Sequence, residues 1–146
     1  MIPRAIQIGL MLVVAGCTRS DPGMINLAAS LVPEGSQITE VAENTGFAGP
    51  YSGTIHIDDG GLGPALLEAI EDQAVSDGWQ ERYRCDVLNG VTLGYSRDDF
   101  KVDVSVLTKR EPVYAVISIM RIGEGNPWPP DFDVFIPDAT CVVHGP

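Results

Sequence analysis

Residues 82–119 read RYRCDVLNGVTLGYSRDDFKVDVSVLTKREPVYAVISI. Apolar and polar residues alternate here in four runs, each closed by turn-forming residues, which is the signature of antiparallel strands with one buried face. In the first run Tyr83, Cys85 and Val87 alternate with Arg82, Arg84 and Asp86; in the second Val91, Leu93 and Tyr95 alternate with Thr92, Gly94 and Ser96. Because the side-chain period of a strand is two, the turn decides which rows share a surface. A two-residue Asn89-Gly90 turn puts the two apolar rows on opposite faces. A three-residue loop, Leu88-Asn89-Gly90, with Gly90 left-handed in a bulge, pairs Val87 with Val91, Cys85 with Leu93 and Tyr83 with Tyr95. The bulged form unites all six and is the expected one.

The same reasoning carries outward. A four-residue loop over 96–99 pairs Tyr95 with Phe100 and brings Phe100, Val102, Val104 and Val106 to the same face. A second loop over 109–112 sets Ala115, Ile117 and Ile119 opposite Val106, Val104 and Val102. Upstream, Gly63 and Pro64 open a helix expected over 64–77, since proline is favoured at a first helical position. Its apolar stripe is Leu66, Leu67, Ile70 and Ala74; Gly78 closes it, with Trp79 folded back onto Ala74. Thr54-Ile55-His56-Ile57 reads as a half-buried strand whose place in the sheet stays open, and 37–43 as a short strand. The expected fold class is α+β: one helix packed on an antiparallel β-meander sheet, with a C-terminal strap tied by a disulfide.

Composition narrows the function classes. The chain has 146 residues, 9 Lys plus Arg against 20 Asp plus Glu, and a formal net charge of −11. Such a field repels phosphate and excludes nucleic acid as a partner. Charged residues make up only 20% against 45% hydrophobic, which excludes a wholly disordered acidic chain.

The N-terminus reads as an address. Met1 to Arg4 is a short positive head, followed by the apolar run Ala5 to Val14 and then Ala15-Gly16. Ten helical residues span about 15 Å, half a hydrocarbon core, so the run is too short to cross a bilayer and matches a secretory signal peptide. Val14-Ala15-Gly16-Cys17 resembles the lipobox of bacterial lipoproteins, a likeness confined to the first 17 residues, with Gln7 as its one departure in the apolar run. The resemblance implies cleavage before Cys17, acylation of its thiol, and attachment of an extracytoplasmic protein to the cell membrane or outer membrane through that lipid. In that family an Asp after the cysteine favours the inner membrane; Thr18 stands there instead. The expected organisation is a cleaved signal over 1–16, an acylated cysteine and tether over 17–30, and a single α+β domain over 31–146.

With Cys17 lipidated, Cys85 and Cys141 form an even pair in an oxidising compartment, for which a disulfide is the expected state. The rival reading pairs Cys141 with His144 as metal ligands or as thiol and imidazole, but no further His or Cys completes a site. Beyond the last meander strand, whose other face carries Tyr114, Val116 and Met120, the run 125–130 is proline-fixed and extended around Trp128. Either this tail seals that apolar face or a partner covers it. Trp128, Tyr114, Val116 and Met120 are therefore the candidate interaction surface, and Trp128 among prolines also resembles a polyproline-type ligand.

Catalytic motifs are sparse. Gly94-Tyr95-Ser96-Arg97-Asp98 lacks the closing glycine of a nucleophile elbow. Gly60 to Gly63 lacks the Lys-Ser/Thr of a phosphate loop, and Asp58-Asp59 beside it would repel phosphate. His56 and His144 have no partner that sequence places beside them. Asp58-Asp59 and Asp98-Asp99 with Asp103 lack the spacing of a calcium loop. The expectation is a non-enzymatic protein-interaction or accessory module of the cell envelope, bound to the bilayer through Cys17, with an envelope protein as candidate partner and with no cofactor or metal. A small-ligand or calcium-binding envelope module is the alternative, and a small hydrolase around His56 or His144 a remote one.

Overall fold

The computed structural model describes residues 22–44, 52–123, 128–130 and 139–144. Its elements run in the order α1 (Pro22–Ala29), β1 (Gln37–Asn44), β2 (Ser52–Asp58), α2 (Ala65–Ser76), β3 (Gln80–Val87), β4 (Gly90–Arg97), β5 (Phe100–Leu107), β6 (Tyr114–Arg121) and β7 (Thr140–Val143). All seven strands join one antiparallel sheet in the order β1-β2-β6-β5-β4-β3-β7. The fold is α+β, mostly sheet, with a disulfide between Cys85 and Cys141.

The alternation read from the sequence builds the centre of this sheet. Val106, Val104 and Val102 face Ala115, Ile117 and Ile119, as the 109–112 loop required. Ile55 and Ile57 add to that row from β2, which lies inside the sheet between β1 and β6. The row is closed to solvent by the helices: Leu66, Ile70 and Ala74 of α2 are buried, as are Met24, Ile25 and Ala28 of α1. These side chains, with Val91, Leu93 and Tyr95 of β4, form one continuous core against what we term the inner face. Gly78, at φ +80°, ends the second helix as a left-handed residue, and the N–H of Trp79 returns to the Ala74 carbonyl at 2.9 Å.

The helix over 22–29 corrects the expected boundary. The tether assigned to 17–30 overlaps a helix whose Met24, Ile25, Ala28 and Ala29 are buried, so the folded domain already includes Pro22, and two helices lie among the described residues. Met24, Ile25, Ala28, Ala29, Leu31 and Val32 recur at helical spacing, and Pro22-Gly23 opens that helix in place of the expected tether. The lipobox, including Cys17, lies outside the described residues.

A second correction concerns the β3–β4 hairpin. The turn is Leu88-Asn89, with Val87 opposite Gly90, Asp86 opposite Val91, Cys85 opposite Thr92, Arg84 opposite Leu93 and Tyr83 opposite Gly94. The expected bulge at Gly90 is absent; the irregularity falls between Glu81 and Tyr83. Tyr83 and Cys85 consequently point to the outer face, away from the helices. Arg84 takes their place beneath α2, where its guanidinium meets Glu71 at 2.9 Å. The β4–β5 turn is also shorter than expected: Arg97 pairs with Phe100 and Tyr95 with Val102. That shift is by two residues, so side-chain parity holds and Val102, Val104 and Val106 stay on the inner face.

The Asp58-Asp59 pair is spent on the backbone. Gly60 N–H donates to Asp58 Oδ1 at 3.1 Å; Gly61 N–H donates to Asp59 Oδ1 and Val113 N–H to Asp59 Oδ2, both at 2.9 Å. Asp59 thereby ties the loop before α2 to the loop before β6, and these amides hold its carboxyl below its ordinary value of 3.8. A carboxyl depressed by folding stabilises the native state above its unfolded value, and that contribution disappears as pH falls through the folded value. Asp59→Asn is expected to lower Tm by several degrees at pH 7 and to leave a shallower acid dependence below about pH 4 than the parent shows. Thermal melts of both proteins between pH 2.5 and 7 check it; parallel curves would contradict the role given to Asp59.

Candidate functional site

The outer face carries Thr92 and Ser96 of β4 and Lys101, Asp103 and Ser105 of β5, and its centre is organised by Tyr83 of β3. That residue is 1% exposed although it lies on the side without helices. Three features bury it. Gly94 opposite has no side chain, so the ring lies directly over the β4 backbone, where a Cβ would come within 2.0 Å of Cε1. Trp128 from the C-terminal arm packs edge-on at a centroid separation of 6.1 Å. The phenol donates to Asp103 Oδ1 on β5, and Trp128 Nε1 donates to the same oxygen at 2.9 Å. Burial first, and then the Asp103 carboxylate, push the Tyr83 phenol well above its ordinary value, so it remains a donor.

The arm is fixed further along by the disulfide. Cys141 sits directly opposite Cys85, and β7 extends the sheet with Val143 opposite Tyr83. His144 continues the pairing through its N–H to the Arg82 carbonyl at 2.8 Å, and its Nε2 lies 2.6 Å from Glu81 Oε2. Between this end of β7 and Trp128 opens a groove of about 510 Å³, lined by Arg82, Ser96, Ile122, Trp128, Val143 and His144. Ile122 and Val143 are 47% and 53% exposed, so its walls are apolar side chains left in solvent.

The four residues expected to share one interaction surface are divided. Trp128 belongs to the Tyr83–Asp103 centre and the groove. Tyr114, at the far end of β6, shares a hydrogen bond with His56 Nδ1, and Arg110 stacks over its ring at 5.3 Å. Val116 lies between His56 and Ser105, and Met120 between Ser52 and Lys101. All four are half-buried. The strap is described only at 128–130, where it covers Tyr83; the rest of the run 125–138 lies outside the described residues.

Each histidine has one side-chain partner in hydrogen-bond reach: the Tyr114 hydroxyl for His56 and the Glu81 carboxylate for His144. Of the acidic turns, Asp59 is committed to backbone amides and Asp103 to Tyr83 and Trp128. Among the described residues no three His, Cys, Asp or Glu side chains converge as metal ligands. Two residues of the candidate site are not legible in the sequence. Arg82 reads as a surface residue of an alternating strand, and only the bulge beside it turns its side chain into the groove. Asp103 was legible as an acidic residue but not as an acceptor, because its donors come from β3 and from the arm.

Among the described residues no helix is long and apolar enough to cross a membrane. Comparison with protein-family models, with curated proteins and with solved structures found no match.

Proposed function

We propose that this chain is a lipid-anchored, extracytoplasmic, non-enzymatic module that acts by protein contact at the bacterial cell envelope. The observation that carries the contact reading is the C-terminal arm: Trp128 seated on Tyr83 and Asp103, β7 locked to β3 by the disulfide, and an apolar groove between them. An apolar groove with an aromatic wall is the kind of surface on which partners anchor. The lipobox resemblance of Val14-Ala15-Gly16-Cys17 supports the location, and a disulfide between Cys85 and Cys141 fits the oxidising side of the membrane. Two or more acyl chains on Cys17 hold a protein firmly to a bilayer, so an acidic domain needs no basic patch to stay there.

Cys17→Ser is expected to move the protein from the membrane fraction to the soluble fraction and to abolish incorporation of labelled palmitate. Retention of both in the variant would refute the anchor. Crosslinking in intact membranes, followed by identification of the linked protein, tests the contact reading. Trp128→Ala is expected to weaken that crosslink, and a crosslink unchanged in that variant would overturn it.

A further inference from the structure

Arg82 is held in an unusual state for so acidic a chain. The irregularity at the start of β3 turns it onto the outer face, where Nε donates to Ser96 Oγ at 2.7 Å. Neighbouring cations have their own partners: Arg84 meets Glu71, Arg97 meets Asp98, Arg110 lies over Tyr114 and Arg121 over Phe100. Among the described residues no carboxylate is within ion-pair distance of Arg82, in a chain with 20 acidic side chains. A guanidinium has five N–H donors in a planar fork, and the bond to Ser96 uses only the one on Nε. The fork that remains fits a carboxylate through two parallel hydrogen bonds.

The surroundings narrow the ligand further. His144, the other basic side chain of the groove, is taken by Glu81, which leaves Arg82 as its one uncompensated cation among the described residues. Trp128, Ile122 and Val143 supply apolar walls to either side. With a net charge of −11, repulsion from the rest of the chain grows with ligand charge and favours a single carboxylate over a phosphate. The groove also ends on the outermost strand. Among the described residues β7 pairs only with β3, so along its other edge no described strand takes the backbone groups that an added strand would use.

We infer that the groove binds the C-terminal residue of an extended peptide of a partner protein, its carboxylate on Arg82 and its last, apolar side chain between Trp128 and Val143, with the preceding residues along β7. This deepens the protein-contact reading and rests on it, but not on the lipid anchor.

The test uses the full chain in detergent and a library of fluorescent hexapeptides, varied over the last three positions and made both as free acids and as C-terminal amides. Free acids ending in an apolar residue are expected to bind, with at least tenfold weaker binding of the matching amides. Arg82→Gln is expected to erase the difference between acid and amide. Val143→Glu, at an exposed position, places a carboxylate in the groove and is expected to abolish binding with an unchanged thermal melt. The inference is overturned if wild-type protein selects no free acid, or if Arg82→Gln still discriminates acid from amide. It is equally overturned if N-acetyl-leucine or inorganic phosphate displaces the label as effectively as the peptide, since a free anion would then be the ligand. A membrane crosslink that depends on Trp128 while no peptide binds would retain protein contact and discard this groove as its site.

Discussion

A protein with Cys85→Ala and Cys141→Ala together is expected to lose about 4 kcal/mol of unfolding free energy. The disulfide closes a loop with a sequence separation of 56 residues that contains β4, β5 and β6. In the chain-entropy model, a loop of this length removes about 4 kcal/mol worth of freedom from the unfolded state. Because those three strands form the middle of the sheet, the constraint acts on the whole domain rather than on the four residues of β7 alone. Against a total of about 5–15 kcal/mol for an ordinary domain this is a large share, corresponding to a Tm lower by roughly 15 °C. Denaturant titrations of wild type, the double variant and wild type held reduced and alkylated provide the measurement. The latter two are expected to unfold at similar, lower denaturant concentrations. A midpoint unchanged in the double variant would mean that the bridge does not constrain the unfolded chain.

The same bridge shows why the sequence was readable for some elements and misleading for others. Period-two alternation determines a strand's register when only one face is buried. β5 and β6 come near that condition: their inner faces are buried valine, isoleucine and alanine, while Asp103, Ser105 and Ser118 on the other face are only half-buried, and their pairing follows from the sequence. On β3 both faces are covered. Tyr83 and Cys85 are buried by the arm on the outside, while Arg84 lies under α2 with its charge matched by Glu71. Placing every apolar residue of β3 against the helices therefore selects the wrong turn, because the covering layer on the other side arrives from more than 40 residues downstream. The candidate site suffers from the same non-locality. Trp128 was conspicuous among its prolines, but its partners Asp103 and Tyr83 and the neighbouring Arg82 become a site only through sheet order and a strand irregularity. The first helix is a different case, since its apolar spacing is present in 24–32 and was outweighed by the polar residues just before it.

Gly94→Ala distinguishes the two β3 registers and is expected to cost about 3 kcal/mol. In the pairing expected from sequence, Tyr83 faces Tyr95, and Gly94 points away from both; an added methyl would then meet little, and the glycine-to-alanine change would slightly stabilise the strand. In the observed pairing the methyl would approach Tyr83 Cε1 to 2.0 Å and Cδ1 to 2.2 Å. An aromatic ring cannot yield there as the tip of a flexible chain would. Trp128 blocks it from one side and its phenol is tied to Asp103, so relief requires moving the ring, the arm or β4 itself. Overpacking of this kind typically costs about 1–3 kcal/mol, and the rigidity of the ring places this site at the upper end. The decisive measurement is a double-mutant cycle. Tyr83→Ala alone is destabilising, because it empties a buried site and leaves Asp103 with one donor. Once the ring is gone, adding Gly94→Ala is expected to change stability by less than about 1 kcal/mol, which gives a coupling of roughly 2–3 kcal/mol. Additive effects would show that the ring does not lie over Gly94, and would remove the base on which Trp128 and the groove beside it are built.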